Sequence, residues 1–142
     1  MSKGNTFEND LLELIFNGTA IANLADDAAT SPLTNIYVAL HTGDPGEAGN
    51  QTTNECAYTS YARVAVARTS GGWTVTANSV SPAANIDFPA ATGGTETATH
   101  VSIGTDVSGT GKILYYGAIT PSINISTGVT PRIGTGSTIT ED

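Results

Sequence analysis

Residues 36–68 read IYVALHTGDPGEAGNQTTNECAYTSYARVAVAR and contain two strand-like runs with a long polar connection between them. Residues 36–42 are rich in β-branched and aromatic side chains, which favour strands, and they lead into a Gly-Asp-Pro-Gly sequence that cannot continue a ladder. Residues 61–68 alternate as a strand does, with Val64 on one face and Arg63 on the other. The stretch therefore predicts two strands joined by a long polar loop.

Beyond this stretch the pattern remains that of strands. Short runs of β-forming residues are separated by Gly-rich turns at the spacing expected of a sandwich or barrel. Pro121 cannot donate to a ladder, so we expect it at an edge or a turn. The predicted fold is mainly β, an antiparallel β-sandwich or jelly-roll-like domain of about seven or eight strands. The further predicted strands cover residues 73–77, 86–88, 97–103, 112–119, 122–125 and 137–140.

One helix is predicted, over residues 5–17. Asn5 and Glu8 have the spacing of a capping box, and Gly18 is a typical stop. The apolar face of this helix either packs on the core of its own chain or docks on a neighbouring subunit, and the sequence leaves both open. Tyr116, expected on the outer face of its strand, is a further contact candidate. The candidate subunit interface is therefore Phe7, Leu11, Leu12, Leu14, Ile15, Phe16 and Tyr116.

The hydrophobic period changes after the helix, from a helical stripe to strand alternation. Residues 21–34, which lie between the two patterns, are rich in Ala and contain Pro32, as a joint would. We therefore predict an N-terminal helix and arm over residues 1–34 and a β-sandwich domain over residues 35–142. On this division, removal of residues 1–17 leaves a folded domain that no longer joins an assembly.

Four groups of residues carry a resemblance to a known family: LHTGDPGEAG at 40–49, NE at 54–55, YTSYARVAV at 58–66, and Trp73. In pattern and order they resemble small structural proteins of tailed bacteriophages, which are labelled tail-fibre or capsid-decoration proteins. The likeness spans residues 33–120. It implies a virion component that is assembled in the cytoplasm of the bacterial host.

Within the virion, the first prediction is a capsid-surface decoration or cement protein, a homotrimer that binds the major capsid protein. The small size, low charge density and N-terminal arm fit that use. The alternative is a tail-fibre or tail-associated structural protein, which the same resemblance implies. A second alternative is a carbohydrate-binding module of an adsorption structure. That alternative requires exposed rings at Trp73, Tyr58 or Tyr61, because sugars stack on aromatic faces.

Charge and composition exclude several kinds of partner. Over 142 residues the formal net charge is −8 with only five Lys and Arg, which leaves no basic stripe for nucleic acid. The chain shows no signal-peptide pattern and no run near the ~20 apolar residues of a membrane span. The single cysteine, Cys56, excludes an intrachain disulfide and a Cys-rich zinc site. We expect neither nucleic acid nor membrane among the partners.

The sequence contains no recognisable catalytic or cofactor motif. His41 and His100 lack a second His at ligand spacing, and no G-x-S-x-G pentapeptide occurs. His41, Asp44 and Ser60 are the residue types of a hydrolytic triad, but a chain this rich in Ser and Thr offers such triples by chance. We therefore predict a non-enzymatic protein without cofactor or metal, and a hydrogen-bonding role for His41 at the end of its strand.

The loop over residues 43–55 is the remaining site-like feature. Its oxygen-bearing side chains suit calcium, yet their spacing is not that of an EF-hand, so the sequence favours a solvated loop with calcium binding as the alternative. Arg63 and Arg68 are expected to pair with nearby acids at the surface, each pair worth under ~1 kcal/mol, or to contact another subunit. The candidate calcium ligands are Asp44, Glu47, Asn50, Gln51, Asn54 and Glu55.

Overall fold

The computed structural model describes residues 5–20 and 33–141 of the chain. These residues form one N-terminal helix and nine strands in mainly antiparallel sheets, which confirms the predicted mainly β fold with an N-terminal helix. The elements are α1 (Asn5–Leu12), β1 (Asn35–His41), β2 (Val64–Ala67), β3 (Trp73–Thr76), β4 (Ser79–Pro82), β5 (Ile86–Asp87), β6 (Glu96–Gly104), β7 (Ile113–Ile125), β8 (Arg132–Ile133) and β9 (Ile139–Thr140).

The chain forms two compact units, each assembled from separated segments. We call them the helical unit, which groups Met1–Asn35 with Ala67–Ile86 and Ile133–Asp142, and the strand unit, which groups Ile36–Val66 with Asp87–Arg132. The predicted division into residues 1–34 and 35–142 follows the order of the chain, whereas this grouping follows contacts. The earlier division stays a prediction about which segment folds independently.

The N-terminal helix runs where the sequence predicts it. After α1 the chain makes a single π-helical turn, Glu13–Asn17, and stops at Gly18 in a left-handed conformation with φ 68°. This end confirms the predicted helix stop. Glycine suits the position because it adopts a left-handed conformation without steric cost. The side chain of Asn5, and with it the predicted capping box, lies outside the described residues, as do residues 21–32 of the predicted joint.

In the helical unit, β3, β4 and β9 form a three-stranded sheet in that order. The β3 and β4 strands make a hairpin in register from Trp73 opposite Pro82 to Thr76 opposite Ser79. The strand β4 has no counterpart among the strands predicted from the sequence. Ala77, in the turn of this hairpin, has a φ of 54°, a conformation for which Gly or Asn would have been the usual signal.

The core of the helical unit joins the helix to this sheet. The Phe16 and Trp73 rings meet edge to face, with their centroids 4.7 Å apart. Leu12 and Phe16 are completely buried, and Val80 of β4 is almost so. The predicted subunit interface needs a correction at Leu12 and Phe16, because burial in their own unit leaves them no surface for a neighbour. Leu11, Leu14 and Ile15 are only partly buried, so for them the interface stays a prediction, and the side chain of Phe7 lies outside the described residues.

Arg68 binds the C-terminal end of the helical segment within this unit. Its guanidinium donates to the Ile15 carbonyl at 2.7 Å, to the Leu14 carbonyl at 2.7 Å and to the Leu33 carbonyl at 2.8 Å. A cation is favourable at a helix C-terminus, where carbonyls lack intrahelical partners. The expectation that Arg68 pairs with a surface acid was therefore wrong.

The strand unit is built on a four-stranded sheet with the order β2-β1-β6-β7. In β1 and β6 the register runs from Tyr37 opposite Gly104 to His41 opposite His100. The strands predicted over 112–119 and 122–125 form the single strand β7. Its register against β6 shifts opposite Thr99, and Pro121 lies in that interruption at the edge of the sheet, as expected. The buried apolar residues of this unit include Val38, Leu40, Tyr58, Phe88, Ala98 and Ile125.

Candidate functional site: two loops held by buried Arg63

The polar loop after β1 closes at its base. The Thr42 amide donates to the Asn54 carbonyl at 2.7 Å, and the Cys56 amide donates to the Leu40 carbonyl at 2.9 Å. Asn54 has a φ of 53°, which asparagine tolerates better than most residues. The two ends of the loop lie side by side, so the loop is a defined excursion from the sheet.

Arg63 is buried, with 2% of its side chain exposed, and it is bound on every side. Its Nε and Nη2 donate to the two carboxylate oxygens of Glu55 at 2.7 and 2.8 Å. Its Nη1 donates to the Asp106 carbonyl at 2.9 Å and its Nη2 to the Gly109 carbonyl at 2.7 Å. A buried guanidinium needs this saturation, since the cost of removing it from water is high. The expectation of a surface pair was wrong.

These bonds connect two loops that are far apart in sequence. Glu55 closes the loop of residues 43–55, and the two carbonyls bound by Arg63 belong to the loop of residues 105–111 between β6 and β7. Arg63 itself precedes β2. We call the two loops together with Arg63 the loop framework.

Gln51 makes the second connection between the loops. The backbone amide of Gln51 donates to the Gly111 carbonyl at 2.9 Å, and the side-chain Oε1 of Gln51 accepts from the backbone amide of Asp106 at 3.0 Å. Gln51 is completely buried, and its Nε2 has no hydrogen-bond partner among the described residues. A Cβ atom at Gly104 or at Gly111 would overlap the Gln51 side chain. Glycine is therefore required on both sides of this glutamine.

His41 and Tyr61 attach the same loop to the sheet. His41 Nδ1 lies 2.8 Å from the Thr53 carbonyl and must donate to it, which leaves Nε2 to accept from the Ser102 hydroxyl at 2.7 Å. Burial lowers the pKa of His41, so the ring is neutral near pH 7. The Tyr61 hydroxyl donates to Glu55 at 3.0 Å, and burial together with that carboxylate raises the pKa of Tyr61. The predicted hydrogen-bonding role of His41 is confirmed.

His41 and Ser60, two of the three residue types of a hydrolytic triad noted in the sequence, are not bonded to each other. The Ser60 hydroxyl is bonded to the Thr92 hydroxyl, whereas His41 uses Ser102. His41 and Ser102 are both buried and bonded within the strand unit. Burial, followed by Glu96, raises the pKa of the Cys56 thiol to about 12, which disfavours the reactive thiolate.

The side chains of the 43–55 loop divide between the inside and the outside. Asp44, Glu47 and Asn54 face solvent, as predicted, whereas Gln51 and Glu55 face inward, which the prediction of a fully solvated loop missed. Within residues 5–20 and 33–141, no group of three or more His, Cys, Asp or Glu is placed to hold a metal ion.

Two of the three rings that the carbohydrate-binding alternative requires are buried. Trp73 is 1% exposed and Tyr58 is 3% exposed, and the Tyr58 hydroxyl donates to the Pro89 carbonyl at 2.8 Å. Tyr61 packs edge to face on Tyr58 and bonds to Glu55. The exposed platform that this alternative requires is therefore not formed.

Exposed apolar side chains mark other parts of the surface. Val107, in the 105–111 loop, is 62% exposed, Leu33 is 45% exposed, and Tyr116 of β7 is 39% exposed. The predicted outward position of Tyr116 is thus confirmed, and its role in an interface stays a prediction. Val107 lies between the two carbonyls, at 106 and 109, that Arg63 binds, so the framework fixes the backbone that presents it.

The partners of Gln51 and Arg63 were not predicted from the sequence. The available signal was the alternation around β2, which places Tyr61 and Arg63 on one face, and the glycines at 104 and 111. Neither signal indicates which carbonyls a guanidinium will reach, because those carbonyls are 43 and 46 residues away along the chain.

Comparison with known proteins agrees with the virion assignment. A family model described as "Podophage GP4 fiber I protein gp80" matches residues 2–141. No curated protein matches the chain. Among the described residues, no helix has the length and apolar character needed to cross a membrane. The chain belongs to the Podophage GP4 fiber I protein gp80 family and is a structural component of a bacteriophage virion.

Proposed function

We propose that this chain is a subunit of the phage fibre and that it acts by binding other virion components, without catalysis. The description of its family supports a fibre placement over the capsid-surface decoration that the sequence first predicted. The predicted homotrimer and the predicted contact with the major capsid protein remain predictions.

The loop framework is the observation that carries the binding proposal. A buried Arg–carboxylate pair and a buried glutamine hold two polar loops in one arrangement, and these loops expose Asp44, Glu47 and Val107. Surfaces that are ordered before binding lose less conformational entropy when a partner docks. The framework thus presents a preformed contact surface on the strand unit.

The polar groups around the loop framework are buried and hydrogen-bonded, and this supports a structural role. His41 and Ser102 are buried and satisfied within the unit, and the pKa of the Cys56 thiol is far above neutral pH. Catalytic nucleophiles need exposure and an adjacent base that reaches substrate. We propose that the polar residues of the framework position backbone and do not react.

Immunogold labelling of intact virions with antibody against this chain tests the placement. We expect labels at the tail fibres. Labels spread over the capsid would contradict the fibre proposal and restore the decoration prediction.

A substitution tests the contact surface separately from the placement. Val107→Asp adds a charge to the exposed loop and should lower the number of copies per virion, while the purified protein melts as the parent does. Leu33→Asp is the matched control, since it changes a second strongly exposed aliphatic residue among those described and should leave incorporation unchanged. Equal incorporation of both variants would contradict a role for the framework surface.

A further inference from the structure

We propose that the loop framework opens when the pH falls: His41 takes up one proton, and residues 43–53 leave the sheet while the strands and the Arg63–Glu55 pair stay in place. His41 is completely buried at the end of β1, where the loop begins. Both of its ring nitrogens are used in this closed arrangement, one by the loop and one by the sheet. The ring therefore connects the loop to the sheet.

The closed arrangement needs a neutral imidazole ring. Nδ1 of His41 donates to the Thr53 carbonyl, so Nε2 accepts from the Ser102 hydroxyl. A proton added at Nε2 turns that acceptor into a donor. Ser102 is 1% exposed, and its hydroxyl has no other hydrogen-bond partner among the described residues. Protonation would thus leave the hydroxyl proton of Ser102 buried without an acceptor, which is unfavourable.

The charged groups around His41 do not compensate an imidazolium. Glu55 lies beside His41 in a single β-bridge, but its carboxylate already accepts from Arg63 through both oxygens and from Tyr61 through one. Arg63 and His100, which is opposite His41 on β6, disfavour a further positive charge, and the β7 residue paired with His100 is uncharged. A buried charge without a partner is costly, so the proton binds when the ring reaches water.

The segment of residues 43–53 can leave the sheet without unfolding the strand unit. Only Pro45 and Gln51 are buried in it, so no large apolar side chain anchors it. It is held by polar contacts, through His41 to Thr53 and through Gln51 to the 105–111 loop. Segments with few buried apolar contacts open at a lower free energy than the whole fold. Protonation of His41 therefore favours local opening over global unfolding.

The direction of the pH dependence follows from the form that binds the proton. In the closed form, burial keeps the pKa of His41 below the ordinary value of 6.5, whereas an exposed ring in the open form has about that value. Between the two values the open form binds one more proton, so its population rises about tenfold for each unit by which the pH falls. That the contact surface is lost in the same range rests on the proposed function.

Amide hydrogen exchange of the intact chain, followed by NMR from about pH 7 to about pH 5, tests the proposal above the range in which exposed carboxylates titrate. Rates are compared with those of an unstructured chain at the same pH. We expect the protection of the Gln51 and Asp106 amides, which bond across the two loops, to fall about tenfold per pH unit once the pH is below about 6.5. The Phe88 amide, bonded to the Pro131 carbonyl elsewhere in the strand unit, should keep its protection.

His41→Gln tests the assignment of the proton, because a neutral amide can donate and accept without taking one up. It should remove the pH dependence at both amides, whereas the matched control His100→Gln should retain it. If His41→Gln does not fold, the pH series of the parent still decides whether the loop opens locally.

Unchanged protection of Gln51 and Asp106 across the range, a parallel loss at Phe88, or a retained pH dependence in His41→Gln would each overturn the proposal. A different result would count against the proposed function alone. If the loop opens in the purified chain while intact virions held at the same pH keep all their copies, the opening stands and the proposed contact surface is contradicted.

Discussion

The core of the helical unit and the loop framework of the strand unit are stabilised in opposite ways. In the first, Phe16, Leu12 and Trp73 are buried as apolar side chains. In the second, Arg63, Gln51 and His41 are buried as polar side chains that bind specific backbone atoms. Apolar burial is non-directional, whereas buried polar groups require each partner in place. Apolar burial therefore supplies stability in the helical unit, whereas the polar contacts of the loop framework fix the positions of particular backbone atoms.

The largest expected effect is in the apolar core. Trp73→Ala removes a ring that is 1% exposed and packed against Phe16, so we expect a loss of about 3–5 kcal/mol in the free energy of unfolding. Denaturant titration measures this loss. Leu33→Ala, at a residue that is 45% exposed, should change stability by no more than about 0.5 kcal/mol. Equal values for the two variants would show that the ring does not belong to a core.

The burial of Leu12 and Phe16 also changes the result that we expect when residues 1–17 are removed. Removal of residues 1–17 would strip Leu12 and Phe16 from Trp73, so the helical unit should lose stability along with any attachment function. The prediction from sequence, a folded domain that has lost only its attachment, has not been tested.

The next effect should come from the loop framework. Arg63→Ala leaves the Glu55 carboxylate without its partner, and we expect a loss of about 3 kcal/mol, the lower end for a buried pair because Glu55 keeps 16% of its side chain exposed. Amide hydrogen exchange should accelerate at Gln51 and Gly111 while Trp73 fluorescence stays unchanged.

The exposed pair of Arg132 and Asp87 provides the control for Arg63. Their side chains are 57% and 45% exposed, and Arg132→Ala should cause no measurable loss of stability. If Arg63→Ala also caused no measurable loss of stability, the loop framework would not depend on its ion pair.

The smallest effect should be the pH dependence that His41 confers. Burial lowers its pKa in the folded protein below the ordinary value of 6.5, so below that pH the unfolded chain binds a proton that the folded chain resists. Stability should therefore fall as the pH drops below about 6.5. The hydrogen bond to the Thr53 carbonyl and then the Glu55 carboxylate oppose this lowering of the pKa of His41, whereas Arg63 and His100 add to it.

Unfolding measured over a pH series checks this prediction. His41→Gln should make the decline shallower, and His100→Gln, which removes the histidine paired opposite it in the sheet, should retain most of it. Identical slopes in the parent and His41→Gln would show that His41 does not confer the dependence.

Much of the fold was readable from the sequence because its signals are local. The strand content of residues 36–42, the helix ending at Gly18 and the alternation after Trp73 each depend on neighbouring residues. The hairpin strand β4 was missed because Ala77 gives no turn signal at a position with φ 54°. The family resemblance likewise rested on contiguous motifs, and the family match bears it out.

The sequence alone predicts a mainly β chain with an N-terminal helix and a likeness to a phage structural family. The contact between Phe16 and Trp73 and the burial of Arg63 with Glu55, rather than at the surface, depend on the tertiary structure. Several of the partners concerned lie far apart along the chain. Local propensity acts over a few residues, whereas the bonds from Arg63 reach carbonyls 43 and 46 residues away, whose position follows from the closing of the whole sheet.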